Sequence, residues 1–568
     1  MTRLVNVPAA FATESVAAFA LANADRVRHV DGGVVRRDPV SGRVAIVMGG
    51  GSGHYPAFAG WVGRGFGDAA VCGNVFSSPS EHQILEVTRA ADQGGGILFL
   101  PINYAGDILH FGAARDELVV AGTDARTVVV ADDIASGGPG ERHVRRGIAG
   151  SLFVVKIAGA AAARGGALDD VERVARAAGE ATRSFGVAFS GCVLPGSAEP
   201  LFTVPEGVMA VGMGIHGEPG IAEQAVGTAS DVADVIVDGL FAERPPAAGQ
   251  RVAVLVNGLG STKYDELNLV FARVRERLVA AGMTPSAPLV GEFMTSLDMA
   301  GVSVSLAYLD DELDDLWRDP VDSVALSRGR IDASAPDDDP ADAAAHRRVF
   351  AEGAPASATA AAGVLRAAET VLAALVAEED ELGRLDAVAG DGDHGRGMTA
   401  GATAARAAVR EAVDARAGAG SALRAAGESW SAVAGGTSGA LWGAALSAAA
   451  DAIGDEAAPD AAAVADAVEA FATAIRARGG AELGDKTMLD AVVPFGVALR
   501  AAVAAGHALD AAWAEAAEAA AGAAAQTAEL APRRGRARIH GARSVGTPDA
   551  GAVSFALVVR AAAGGRPS

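Results

Sequence analysis

Cysteine is nearly absent from this chain: Cys72 and Cys192 are the only two among 568 residues. Two thiols cannot build a disulfide framework or a thiolate metal site, and such sparing use fits a reducing cytoplasm. Positive charge is scarce as well, with 47 Lys and Arg against 70 Asp and Glu, a formal net charge of -23. No nucleic-acid partner is expected, because phosphate backbones recruit clustered cations. A nucleotide substrate survives this test, since magnesium, backbone N–H groups and one or two local arginines can hold phosphates. Membrane-type runs of Leu, Ile and Phe are also lacking. Ser429 to Ala450 is uncharged and long enough to span a bilayer, but its Ala, Gly, Ser and Thr read as a buried or site-forming helix with its loop. No membrane partner is expected. Near the start, Glu14 interrupts the apolar stretch Val7 to Ala24 behind a single leading Arg3, which reads as an amphipathic segment rather than a signal peptide. Finally, no G-x-x-x-x-G-K-[ST] occurs, so an ATP site here is not a P-loop.

What the chain does have is apolar material for several cores: half of its residues are hydrophobic and 21% are charged, over a length suited to three or four domain-sized units. From about residue 40 to 330, short β-branched runs alternate with helical patterns, which predicts layered α/β structure with a change of subdomain near residue 190. Arg43 to Met48, Gly96 to Leu100, Thr127 to Ala131 and Arg251 to Val256 read as strands. Ser334 to Ala345, with two prolines and a run of aspartates, breaks every period and reads as part of a linker over 334–349. Residues 350–568 are rich in Ala, Leu, Arg and Glu at helical spacing, punctuated by Gly/Asp clusters, and predict an all-helical domain with a site among its loops.

Two motifs mislead. Gly212-Met-Gly214-Ile-His-Gly217 fits G-x-G-x-x-G, with a helical stretch expected after it, but no acidic residue ends a following strand as a dinucleotide site requires. Asp391-Gly-Asp393 resembles the start of an EF-hand loop, yet Ala402 stands where the bidentate glutamate belongs.

Other clusters carry chemistry. Asp386, Asp391 and Asp393 place three carboxylates within eight residues among glycines, a hard-oxygen set suited to Mg2+; an Asp-Gly turn capping a helix accounts for the spacing equally well. Gly435-Gly-Thr437-Ser438-Gly439 precedes a helical stretch and offers N–H groups and hydroxyls to a phosphate, or is simply a flexible turn. Gly479, Gly484 to Asp490 and Arg536 to Gly551 add further loops. In the N-terminal part, the glycine run Gly49 to Gly53 follows a strand and delivers His54, Asn103 to Asp107 ends another strand in a carboxylate, and His216 sits among small residues in Gly-Ile-His-Gly-Glu-Pro-Gly. Any one of these histidines taken alone reads as structural.

These motifs, in this order, are those of a known family: the chain resembles the single-chain, ATP-dependent dihydroxyacetone kinases over nearly its whole length. The carriers are Gly49-Gly-Gly-Ser-Gly-His54, Gly73-Asn-Val-Phe76 with Ser78-Pro-Ser80, Asn103-Tyr-Ala-Gly-Asp107, Arg145-Arg-Gly-Ile-Ala-Gly150, Gly212 to Gly220, Gly390-Asp-Gly-Asp-His-Gly395, Gly435 to Gly439 and Gly484-Asp-Lys-Thr-Met488. The resemblance implies an N-terminal α/β ketose-binding domain of two subdomains (1–333) and a C-terminal all-α eight-helix barrel that binds ATP (350–568). It implies that His216 anchors the ketose as a hemiaminal, that Asp107 is the general base with His54 assisting, and that Gly51, Ser52 and Gly53 line the pocket. Asp386, Asp391 and Asp393 would hold two Mg2+ ions. His394, Gly395, Arg396, Gly397, Thr437, Ser438, Gly479, Met488, Arg536, Asp549 and Gly551 would surround the nucleotide. A homodimer in the cytoplasm is also implied. Two positions depart from the dihydroxyacetone enzymes, which carry Lys and Glu where this chain has Ile102 and Tyr55. Erythrulose, a four-carbon ketose, therefore competes as substrate, and the Gly-His-Tyr-Pro-Ala-Phe version resembles the erythrulose-kinase branch. A phosphotransferase-type relay and a ketose-sensing regulator are the rival readings; the complete aspartate trio argues against the second.

Overall fold

The computed structural model describes residues 4–331, 348–388, 390–434, 436–533 and 544–564. Nearly all of the expected linker, together with Gly435 and Arg536, lies outside the described residues. The chain divides into two compact units, Met1–Asp337 and Asp338–Ser568.

In the first unit, α1 (Phe11–Ala22) precedes a six-stranded sheet of order β1-β2-β5-β3-β6-β7. Its strands are β1 (Val27–Val30), β2 (Gly33–Arg36), β3 (Ala45–Ser52), β5 (Ala69–Val75), β6 (Ile97–Pro101) and β7 (Ala125–Thr127). The β5-β3-β6-β7 part is parallel, and β6 is buried at every residue, as expected of a parallel strand covered on both faces. The predicted strand over Thr127 to Ala131 pairs earlier than its β-branched run suggests: only Val130 continues the ladder, as a bridge to Ile102. Helices α2 (Glu81–Ala91) and α3 (Ala105–Val120) follow β5 and β6; Ser80 and Gln83 form a reciprocal cap on α2.

The second sheet, of order β10-β9-β8-β13-β11-β12, begins at Thr182, ahead of the change expected near 190. It comprises β8 (Thr182–Ala188), β9 (Val208–Val211), β10 (Ala222–Ala225), β11 (Arg251–Gly258), β12 (Thr284–Gly291) and β13 (Gly301–Leu309). Only β11 and β12 run parallel. Helices α4 (Ser151–Ala163) and α5 (Leu168–Ala181) contribute to one core together with residues of both sheets. The sequence shows why: α4 is apolar apart from Ser151 and Lys156 and buried along twelve residues, with Lys156 Nζ donating to the Leu316 carbonyl at 3.0 Å, while α5 turns a single stripe of Leu168, Val171, Val174, Ala175 and Ala178 inward. Helices α6 (Ala229–Glu243) and α7 (Tyr264–Ala280) cover the second sheet in a separate core. After α8 (Asp311–Trp317) the chain returns to the first subdomain, where β14 (Val321–Ser323) and β15 (Ser327–Arg328) extend β4 (Gly63–Arg64).

The second unit has nine helices among its described residues: α9 (Pro355–Ala377), α10 (Glu379–Ala387), α11 (His394–Asp414), α12 (Ala419–Ala434), α13 (Gly436–Ile453), α14 (Ala461–Gly479), α15 (Leu489–Ala504), α16 (Leu509–Gln526) and α17 (Ala550–Gly564). Leaving aside the short α10, each long helix packs on the next and α17 closes on α9, so eight staves form a barrel. Ser429 to Ala450, read as one helix with its loop, is the end of α12 and most of α13. Helix α9 is long and apolar enough to cross a membrane, and it is one stave of the barrel, packed on α11, α12 and α17. Between the staves lies an apolar cavity of about 630 Å³, with Trp430 and Trp442 stacked at 4.9 Å on its wall.

Candidate functional site

Glycines shape the first site. The last residues of β3 run close beneath the turn after β5: a Cβ on Gly51 would meet the Ser77 nitrogen at 2.7 Å, and one on Gly53, at φ +100, would meet the Phe76 ring at 2.8 Å. Ser52 is held by a hydrogen bond from its Oγ to the Gly73 carbonyl, 2.7 Å. The bend turns His54 inward until it is buried, its Nδ1 2.7 Å from the Thr295 carbonyl oxygen and its Nε2 3.0 Å from Nε2 of His216. Phe76, itself left-handed at φ 54, stacks on the His54 ring at 5.0 Å and meets His216 edge-on at 5.0 Å. Such strain in a non-glycine residue collects at functional sites.

His216 stands in the loop from β9 to β10. No helix opens there; α6 starts only at Ala229, so the G-x-G-x-x-G pattern has no helix N-terminus to offer a phosphate. The His216 side chain is 22% exposed, Glu218 accepts at both its Nδ1 (3.1 Å) and its backbone N–H (3.0 Å), and Tyr104 lies edge-on at 4.9 Å. Asp107, in the first turn of α3, is 3% exposed with Oδ1 unpartnered. Burial pushes its carboxyl up to about 6, against the pull of a Ser78 hydrogen bond and of His216. Burial drives His54 the other way, down to about 3, with His216 adding to the effect. The structure thus brings His54 and His216 into contact, with Asp107 close enough to feel His216.

Several residues that order this site have no motif of their own. Thr295 belongs to a segment after β12 that is clamped by Asn257 at the end of β11: Asn257 Nδ2 donates to the Met294 carbonyl (2.8 Å), and its Oδ1 accepts from the N–H groups of Phe293 (2.8 Å) and Met294 (2.9 Å). Arg146 spans the Asp133 carboxylate and the Gly212 carbonyl behind the His216 loop. The only advance signal for Asn257 is a lone amide after the apolar run Val252 to Val256. Of the two departures, Ile102 is 2% exposed in the core, and the exposed Tyr55 ring lies against Phe19 of α1 at 6.1 Å and lines a cavity with Gly51, Ser52 and Gly53.

In the helical unit the aspartates converge. Asp386, in the last turn of α10, folds back so that its Oδ2 accepts from the Gly392 N–H at 2.8 Å, over a Gly390 whose Cβ would lie 2.3 Å from Asp386 Oδ1. One carboxylate oxygen each of Asp386, Asp391 and Asp393 lies within 4.8 Å of the others. All three donors are hard oxygens and two of the residues are exposed, which fits a hydrated divalent cation. Beside them a cavity of about 330 Å³ is lined by Asp386, Asp393, His394 and Gly397, by Thr437 and Ser438 in the first turn of α13, and by Gly479, Met488, Asp549 and Gly551. Gly395 and Arg396 are not on its wall: Gly395 is where α11 crosses Glu379, a Cβ there meeting that carbonyl at 1.9 Å, and Arg396 is exposed. Lys486 also borders the cavity and ties the loops together, donating to the carbonyls of Leu530 (3.1 Å) and Ser544 (2.6 Å). Burial pushes Asp549 up to about 6 and lowers His394, whose Nε2 pairs with Ser554 Oγ at 2.9 Å.

Comparison with known proteins agrees with this division. The family model described as the Dak1 domain matches residues 17–325, and that described as the DAK2 domain matches residues 388–564. The chain is 51% identical to the L-erythrulose 1-kinase of Mycolicibacterium smegmatis, over 99% of both chains. It is 48% identical to the D-erythrulose kinase of the same organism, over 99% of this chain and 98% of the other. Among solved structures, the dihydroxyacetone kinase from C. freundii in complex with AMP-PNP and Mg2+ aligns over 100% of both chains with a TM-score of 0.57 and 29% identity.

Proposed function

The chain belongs to the family that joins a Dak1 domain to a DAK2 domain, and from this premise we propose that it transfers the γ-phosphate of ATP to a hydroxyl of a short-chain ketose, with erythrulose favoured over dihydroxyacetone. The observation that carries the reading is the apposition of the His216 and His54 Nε2 atoms at 3.0 Å. A deprotonated Nε2 of His216 adds to a ketone carbonyl and holds the substrate as a hemiaminal. Glycerol has no carbonyl and is not anchored, so selection rests on covalent chemistry rather than size. Asp107, with a free carboxylate oxygen, accepts the proton of the hydroxyl that is phosphorylated. Ile102, buried where the dihydroxyacetone enzymes carry lysine, and the erythrulose kinases among the relatives support the four-carbon ketose.

In the helical unit, Asp386, Asp391 and Asp393 would hold two magnesium ions, which when bound neutralise phosphate charge. His394, Thr437, Ser438, Gly479, Met488 and Asp549 would border the nucleotide. A cytoplasmic homodimer is the working form that the family resemblance and the two free cysteines support; sedimentation of the purified chain tests the dimer.

A coupled ADP-release assay with ATP tests the proposal across dihydroxyacetone, glyceraldehyde, glycerol and both erythrulose enantiomers. The highest kcat/KM is expected with one erythrulose enantiomer and no turnover with glycerol. Absence of turnover with ATP and every ketose would refute the reading in favour of a phosphoprotein-driven relay.

A further inference from the structure

Proton bookkeeping along the histidine pair leads beyond the anchoring chemistry. Four ring nitrogens lie in a row between two acceptors: the Glu218 carboxylate at His216 Nδ1 (3.1 Å) and the Thr295 carbonyl at His54 Nδ1 (2.7 Å), with the two Nε2 atoms 3.0 Å apart between them. The Thr295 carbonyl can only accept, so His54 Nδ1 carries a hydrogen. Glu218 is ionised at neutral pH: burial alone would raise its carboxyl, but the hydrogen bond and charge of His216 hold it down at about 2. It too can only accept, so His216 Nδ1 carries a hydrogen. Two neutral rings would then point lone pairs at each other across 3.0 Å. A hydrogen bond there needs a third proton, which makes the pair a monocation facing the Glu218 carboxylate.

We propose that Glu218 is a positioning residue that keeps the His216–His54 pair singly protonated before substrate arrives, so that the proton needed by the ketose carbonyl oxygen is already in the site. The inference rests on the reading of His216 as the ketose anchor. The step balances. The shared proton passes to His54 Nε2 and leaves a lone pair on His216 Nε2, and that pair forms the C–N bond as the carbonyl π bond breaks. His54 then gives the proton to the carbonyl oxygen, making the hemiaminal hydroxyl. The product is a neutral His54 and an Nε2-substituted imidazolium at His216, its Nδ1–H still on Glu218. One positive charge is present before and after.

The surroundings fit this role. A Cβ on Gly214 would lie 2.0 Å from Glu218 Oε2 and 2.5 Å from Arg146 Nη1, so the loop is glycine where the carboxylate and guanidinium pass. Arg146 stands 3.9 Å from Glu218 Oε2 and pairs with Asp133 at 2.7 Å, which divides its charge between the two carboxylates. The remaining groups facing the pair are Asp107 from α3, the neutral Tyr104 phenol and the Phe76 ring. Burial opposes charge on His54.

Calorimetric titration of the full-length wild type with L-erythrulose near neutral pH, in phosphate, HEPES and Tris, reads the proton count, and intact-mass analysis reads the adduct. An adduct with the same binding enthalpy in all three buffers is expected, because no proton is exchanged with solvent. In Glu218→Gln the amide oxygen still accepts from Nδ1 but the countercharge is gone, so anchoring should draw about one proton from the buffer and ketose affinity should fall about tenfold per pH unit above neutrality. Glu218→Asp should restore part of the wild-type profile. An adduct whose formation in the wild type takes up about one proton overturns the inference alone, as does a Glu218→Gln profile that matches the wild type. A wild type that forms no adduct overturns the anchoring reading as well.

Discussion

Burial sets the Asp107 carboxyl near 6, where a base both ionises at neutral pH and retains a useful affinity for a proton. The sign of the resulting pH dependence follows directly. The group accepts a proton only when ionised, so kcat/KM should climb about tenfold per pH unit below pH ~6 and level off above it. Asp107→Asn removes the base while keeping the shape, and turnover should fall by about 100-fold or more. The His216 adduct should persist, because anchoring does not use Asp107. A pH–rate profile of the wild type, with an intact-mass measurement on Asp107→Asn, checks both halves. A profile with no inflection near pH 6 would show that another group takes the hydroxyl proton.

The elements that carry these residues differ in how far the sequence disclosed them. The glycine run that ends β3 and the Asn-Tyr-Ala-Gly-Asp turn after β6 were legible, because a continuous apolar run reads as a buried strand and ligand groups collect where such strands end. The helical unit was legible from Ala, Leu, Arg and Glu at helical spacing, and the aspartate cluster from three carboxylates within eight residues among glycines. What stayed hidden acts across the chain: Thr295 meets His54 over 241 residues and His216 meets it over 162. Glu218 lay in a motif already singled out, but its turn back onto His216 depends on room at Gly214 that no spacing rule exposes. Asn257 shows the cost of such hidden parts. Its amide satisfies one carbonyl and two N–H groups of the segment that orients His54, all of it buried. Asn257→Leu would leave those groups unpaired at roughly 1–3 kcal/mol each before relaxation. A net loss of about 2–4 kcal/mol in urea unfolding is expected, with a higher KM for ketose and an unchanged KM for ATP. A variant as stable as the wild type would mean that the segment is held by other contacts.

Across the whole molecule the proposed chemistry is divided, since His216, the proposed ketose anchor, lies in one compact unit and the aspartate trio in the other. The division predicts two complementary losses. Asp391→Ala takes one of three oxygen donors from the proposed cation cluster, at an exposed position. Magnesium-dependent nucleotide binding should weaken and turnover should fall by about 100-fold or more, equivalent to roughly 2.7 kcal/mol of transition-state stabilisation. The same protein should still form the ketose adduct at the wild-type level. His216→Ala should do the reverse, abolishing the adduct while fluorescent-nucleotide titration in magnesium returns the wild-type affinity. Both variants are needed, because a misfolded chain would lose both functions together whereas the division requires each to lose only one. If Asp391→Ala also lost the adduct, the two units would be coupled in substrate capture. If it kept full turnover, the aspartate cluster would not be the magnesium site, and the three convergent carboxylates would be no more than a turn that ends α10.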